Sequence, residues 1–211
     1  MTRASAFDKP GFTSKLVPVI VITDVSQAEP MAHALLAGGI DVMEITLRHP
    51  AGMAAIETIA KRVPQMHVGA GTVRHAAEMA QVQSAGAQFA LSPGMSDALV
   101  HAAITAGLPF VPGVMTPGEV LQAQTHGFTL VKLFPAAQAG GLAMVKALNG
   151  PFADMQLCPT GGVSTENMAT FLQQPNVAMV GGSWLTPADA VARCDWSHIT
   201  QLARHAVSLI P

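Results

Sequence analysis

The stretch Leu130-Val131-Lys132-Leu133-Phe134-Pro135 puts a lysine in the middle of an apolar run. The chain has five lysines, and Lys9, Lys15, Lys61 and Lys146 lie in polar or helical segments where a hydrated ammonium is natural. Lys132 has no such surroundings. Burial there weakens solvation of the charged form and leaves more neutral amine to attack a carbonyl carbon, as imine (Schiff-base) chemistry requires. The structural alternative is a buried stem whose head reaches solvent or pairs with Glu44. In Val42-Met43-Glu44-Ile45-Thr46-Leu47-Arg48, the residues Glu44, Thr46 and Arg48 share one strand parity, and Met43, Ile45 and Leu47 share the other. The two sets face opposite ways in an extended strand. The polar set offers a carboxylate for proton transfer and a guanidinium suited to gripping a carboxylate, unless Glu44 and Arg48 simply pair with each other.

These runs belong to a longer pattern. Apolar runs at 17–22, 42–47, 67–72, 88–92, 109–114, 130–134, 155–160 and 177–181 alternate with Ala-rich segments of helical spacing at 26–37, 51–62, 75–85, 96–106, 117–125, 141–148 and 165–172. Ser26 with Glu29 reads as a capping box, and Gly38-Gly39, Gly86, Gly107 and Gly127 read as helix ends. Strands apolar on both faces and interleaved with helices indicate a parallel sheet. Eight such units in 211 residues predict an α/β fold, a single (β/α)₈ TIM barrel, rather than a doubly wound sheet. The segment before Val17 and the pair of short helices after Pro187 are expected to be N-terminal and C-terminal capping helices.

Catalytic groups of a barrel sit at the C-terminal strand ends, so the inward parity of 42–48 must be the polar one. Gly69-Ala70-Gly71-Thr72 and Leu91-Ser92-Pro93-Gly94 then supply substrate walls. Thr160-Gly161-Gly162 and Gly181-Gly182-Ser183 end the seventh and eighth runs. Glycines there let backbone N–H groups approach an anion, the usual barrel arrangement for a phosphate.

Composition narrows the partners. Only 11% of the chain is charged, against about 25% for an average soluble domain, and 50% is hydrophobic. Such a chain is not disordered. The longest charge-free stretches, 98–118 and 167–188, are broken by His101, Pro109, Pro112 and Pro117 and by Pro175, Asn176 and Gly181-Gly182, so neither reads as a membrane span. A net charge of −2 without a basic cluster argues against nucleic acid and anionic membranes. Two cysteines, Cys158 and Cys194, and a polar start without a signal sequence point to the reducing cytoplasm. The eight histidines show no metal-ligand spacing, and no nucleotide-binding glycine fingerprint follows a strand. A phosphosugar isomerase or a thiamine-phosphate-synthase-like barrel would share the glycine loops but form no imine.

Together with Gly86-Ala87-Gln88-Phe89 and Phe110-Val111-Pro112-Gly113, the motifs Glu44-Ile45-Thr46-Leu47-Arg48, Gly69-Ala70-Gly71-Thr72, Lys132-Leu133-Phe134-Pro135 and Cys158-Pro159-Thr160-Gly161-Gly162-Val163 resemble the class I 2-keto-3-deoxy-6-phosphogluconate / 2-keto-4-hydroxyglutarate aldolases, in the family's order. The resemblance implies one aldolase barrel domain over residues 1–211, a homotrimer, and no metal or other cofactor. It implies that Lys132 forms the Schiff base and that Glu44 is the proton donor and acceptor. Arg48 and Thr72 would hold the pyruvyl carboxylate, Pro93, Phe134 and Thr160 would line the reacting centre, and Gly161, Gly162 and Ser183 would bind phosphate. The implied partners are a phosphorylated keto acid and pyruvate. The chain departs from many relatives at His49, often threonine, and at Ala137, often glutamate.

Overall fold

The computed structural model describes residues 6, 7 and 9–211. Strands β1 (Leu16–Ile20), β2 (Val42–Thr46), β3 (His67–Gly71), β4 (Ala90–Leu91) and β5 (Phe110–Val111) join β9 (Val180–Gly182) in a six-stranded sheet of order β5-β4-β3-β2-β1-β9. A second sheet pairs β6 (Gly113–Val114), β7 (Leu130–Leu133) and β8 (Gln156–Leu157). Every strand pair is parallel, giving an α/β half-barrel. Each of the eight apolar runs carries strand. The run at 109–114 is divided in two at Pro112, which has no N–H to give a ladder, although its carbonyl still accepts from the Lys132 N–H at 2.8 Å. Isolated bridges link Leu157 to Val177 and Thr160 to Gly181.

The intervening segments form α1 (Ala28–Ala37), α2 (Ala51–Arg62), α3 (Ala76–Ser84), α4 (Asp97–Ala106), α5 (Pro117–Thr125), α6 (Gly141–Asn149) and α7 (Met168–Leu172). They bury one side each against the strands; Met31, Leu35, Ile56 and Ile59 are fully buried, each such burial contributing about 1.5–3 kcal/mol before entropy. Thr116 and Glu119 cap α5 reciprocally, with Pro117 in the first turn. The expected Ser26 cap is not formed. Asp24 instead accepts from the Ser26 N–H at 2.9 Å and starts a short 3₁₀ turn, so α1 begins two residues after Ser26.

Both capping expectations need correction. Among the described residues no helix precedes β1; residues 1–5 and 8 lie outside the description. The segment covers the N-terminal strand ends without helix: Ala6 C=O accepts from the Phe110 N–H, Phe12 packs on Phe89, and Asp41 accepts from the Thr13 and Ser14 N–H groups. After Pro187 come α8 (Ala188–Ala192) and α9 (Trp196–Ser208), and α9 is thirteen residues long rather than short. It lies along α1, with Thr200 and Arg204 donating to the Ala34 and Ala37 carbonyls. Gly38 permits that approach, since a Cβ there would lie 3.0 Å from Thr200 C=O. No described helix is long and apolar enough to cross a membrane.

Candidate active site

Parallel register sets Glu44 of β2 between Val19 of β1 and Gly69 of β3. On the second sheet Lys132 of β7 stands beside Gly113, which contributes no side chain to crowd it. The two meet across 88 residues of sequence: Lys132 Nζ donates to Glu44 Oε1 at 2.9 Å and lies 3.3 Å from Oε2. Exposures of 4% for Lys132 and 1% for Glu44 make this a buried ion pair, which is costly unless geometry compensates. The Phe134 ring centroid, 5.5 Å from Nζ, adds a cation–π contact. Space for the carboxylate depends on Gly71, where any Cβ would overlap Glu44.

Glu44 thus pairs with Lys132 and not with Arg48. A purely structural ion pair would be sealed by packing, but this one opens on a cavity of about 190 Å³ lined by Val19, Glu44, Arg48, Thr72, Pro93, Lys132, Phe134 and Thr160. All the residues expected to do chemistry or hold the keto acid converge here. Arg48 is exposed at the mouth and makes no ion pair among the described residues, so its guanidinium is available to an anion. Thr72 adopts φ 60°, a left-handed conformation that a β-branched residue reaches only when its surroundings impose it. Thr46 departs from the expectation: it is buried and donates to the Ile20 carbonyl at 3.0 Å, tying β2 to β1 instead of lining the cavity. Val19 was not legible as a lining residue, because an apolar strand residue carries no chemical signal.

The glycine loops stand apart. Gly161, Gly162 and Ser183 do not line the 190 Å³ cavity; Ser183 borders a neighbouring one of about 580 Å³ that shares Val19 and Arg48 with the first. Gly161 and Gly162 have φ 93° and 81°, and Gly162 lies so close to Ala137 that a Cβ there would overlap it. Ala137 therefore belongs to the same loop contact. His49 has a local role: its Nδ1 accepts from the Ala51 N–H at 3.2 Å where α2 begins.

Cys158 is buried below Thr160. Burial pushes its thiol up to about 11, with the Lys132 charge opposing, so it stays protonated at neutral pH and does not compete with the amine as a nucleophile. Among the described residues no group of His, Cys, Asp and Glu is gathered closely enough to hold a metal ion.

Comparison with known proteins agrees with this geometry. Residues 11–202 match the family model for KDPG and KHG aldolase. The chain is 48% identical to the 2-dehydro-3-deoxy-phosphogluconate aldolase of Pseudoalteromonas atlantica, over 92% of this chain and 90% of the relative. It is 46% identical to the KHG/KDPG aldolase of Escherichia coli K12, over 92% of each. A solved KDPG aldolase from Legionella pneumophila, with pyruvate captured as a covalent carbinolamine, superposes with a TM-score of 0.90 at 42% identity, covering 92% of this chain and 94% of that one. The chain belongs to the KDPG and KHG aldolase family.

Proposed function

We propose that this chain is a class I aldolase that cleaves 2-dehydro-3-deoxy-6-phosphogluconate to pyruvate and glyceraldehyde 3-phosphate, and 4-hydroxy-2-oxoglutarate to pyruvate and glyoxylate. The observation that carries the reading is the buried Lys132–Glu44 pair, 2.9 Å apart, facing a cavity whose mouth holds the unpaired Arg48. Transfer of a proton from Lys132 to Glu44 leaves a neutral amine beside a carboxylic acid. The amine attacks C2 of the keto acid, and Glu44 protonates the departing oxygen, so that water leaves and an iminium forms. Glu44, again a carboxylate, takes the C4 hydroxyl proton. The C3–C4 bond breaks, its electrons move to the iminium, and the aldehyde departs. Protonation of the enamine at C3 and hydrolysis release pyruvate and restore Lys132.

Arg48 and Thr72 receive the pyruvyl carboxylate, while Pro93, Phe134 and Thr160 shape the reacting centre. The phosphate lies at Gly161, Gly162 and Ser183; the backbone N–H groups of Gly162 and Ser183 donate to no other described residue, which leaves them for an anion. Residues 1–211 form one domain, a closed eight-stranded (β/α)₈ barrel. Support comes from Pro112, the sole residue between β5 and β6, and from the Thr160–Gly181 and Leu157–Val177 bridges beside β8 and β9. The protein works as a homotrimer in the cytoplasm without metal or cofactor. The test is a coupled assay of pyruvate and glyceraldehyde 3-phosphate with and without EDTA: equal, stoichiometric formation of both in either case is expected. Loss of activity in EDTA, or isomerisation without cleavage, would overturn the reading.

A further inference from the structure

Lys132 and Glu44 belong to different sheets, so their meeting depends on how the two sheets are joined. Between β8 and β9 the join is made by backbone bridges, Leu157 to Val177 and Thr160 to Gly181. Between β4 and β6 a side chain makes it. The register Ala90–Phe110 and Leu91–Val111 continues to Ser92 opposite Pro112, and the next bond of a parallel ladder would run from the Gly113 N–H to the Ser92 carbonyl. The Ser92 N–H reaches the Val111 carbonyl only at 3.5 Å, and the Gly113 N–H donates instead to Ser92 Oγ at 3.3 Å.

That hydroxyl serves a second segment as well. Ser92 is fully buried, and its O–H donates to the Gly94 carbonyl at 2.5 Å, which folds the Pro93-Gly94 turn over β6. A Cβ on Gly113 would stand 2.3 Å from the Pro93 carbonyl carbon. Residues 112–114 in turn hold β7 on both sides of the amine: the Lys132 N–H donates to the Pro112 carbonyl at 2.8 Å and the Phe134 N–H to the Val114 carbonyl at 3.0 Å. One oxygen therefore ties together the sheet that carries Glu44, the cavity wall at Pro93 and the strand that braces Lys132. Ser92 does not itself line the cavity.

Resting on the aldolase reading, we propose that Ser92 is a positioning residue, whose hydroxyl fixes β6 and through it the placement of the Lys132 amine against Glu44 and C2 of the keto acid. Without the hydroxyl the buried Gly113 N–H loses its acceptor, and β6 shifts to find another. A displaced amine still reacts, but slowly, because attack on a carbonyl carbon needs close alignment.

The test is a time course of imine formation with saturating pyruvate, quenched with borohydride and read by peptide mass spectrometry on Lys132, at a temperature where circular dichroism finds each variant folded. Ser92→Ala should form the imine about 10- to 100-fold more slowly than the parent protein yet reach the same final extent. Ser92→Cys, close in size but a weak acceptor, should fall between the two. A parent-like rate in folded Ser92→Ala, or a lower final extent at an unchanged rate, would make the hydroxyl a stability feature only and overturn the assignment. If Ser92→Ala does not fold, Ser92→Cys decides alone, and a parent-like rate there overturns it. A parent protein that fails to trap pyruvate would instead refute the aldolase reading itself.

Discussion

Lys132 and Glu44 hang from β7 and β2, buried and fixed by ladder register, whereas Gly162 and Ser183, the proposed phosphate-binding residues, sit in exposed loops after β8 and β9. The first region places two side chains; the second presents backbone N–H groups that any glycine-containing loop of the right shape could offer. The proposed bond-making chemistry needs closely held positions, and strands provide them, while the proposed phosphate contact falls to loops.

If that contrast is right, damage to the strand-borne pair should be far more severe than damage to the loops. Lys132→Ala should abolish turnover and also lower stability by about 3–5 kcal/mol, because Glu44 would remain buried without its partner. A denaturant melt of the double variant Lys132→Met/Glu44→Leu should recover most of that stability with no activity, separating the cost of the pair from its use. Glu44→Gln should reduce kcat about 10²–10⁴-fold, measured with saturating donor. Gly71→Ala tests register from the neighbouring strand: its Cβ would overlap the Glu44 carboxylate, so kcat should fall and stability should drop by about 1–3 kcal/mol.

The loop region should respond more mildly. Gly162→Ala strains a φ of 81° and collides with Ala137, so KM for a phosphorylated donor should rise about tenfold while pyruvate still forms its imine on Lys132. The smallest effect is expected away from both regions, at Asp41. Burial alone would raise its carboxyl, but N–H donation from Thr13 and Ser14 and the Thr13 hydroxyl together hold it below the ordinary 3.8. Its contribution is therefore full above the ordinary value and lost as pH falls through the lower folded one. A melting comparison should show Asp41→Asn less stable than the parent at pH 6, with the difference closing in acid below about pH 4.

The same contrast governs what the residues disclosed. Lys132 and Glu44 were conspicuous because a charge inside an apolar strand demands a reason, and strand parity told which way Glu44 faced. Parity could not say that Thr46 would spend its hydroxyl on the Ile20 carbonyl, since that depends on the neighbouring strand. Ser26 looked like a helix cap until Asp24, two residues earlier, took its N–H, a competition between local side-chain bonds that spacing does not resolve. The amphipathic spacing locates the helices well, but it does not give the length of α9, whose docking on α1 depends on Gly38, distant in sequence. The larger cavity has no signature in the sequence because its walls join Val19 and Ile20 of β1 to Ala188, Val191 and Ala192 of α8, at the other end of the chain.

The central claim is that Lys132 forms an imine with the keto acid. Incubation with pyruvate and borohydride followed by peptide mass spectrometry should find a reduced pyruvyl adduct on the peptide containing Lys132, and none in Lys132→Ala. An adduct on another lysine, or trapping that persists in Lys132→Ala, would contradict it.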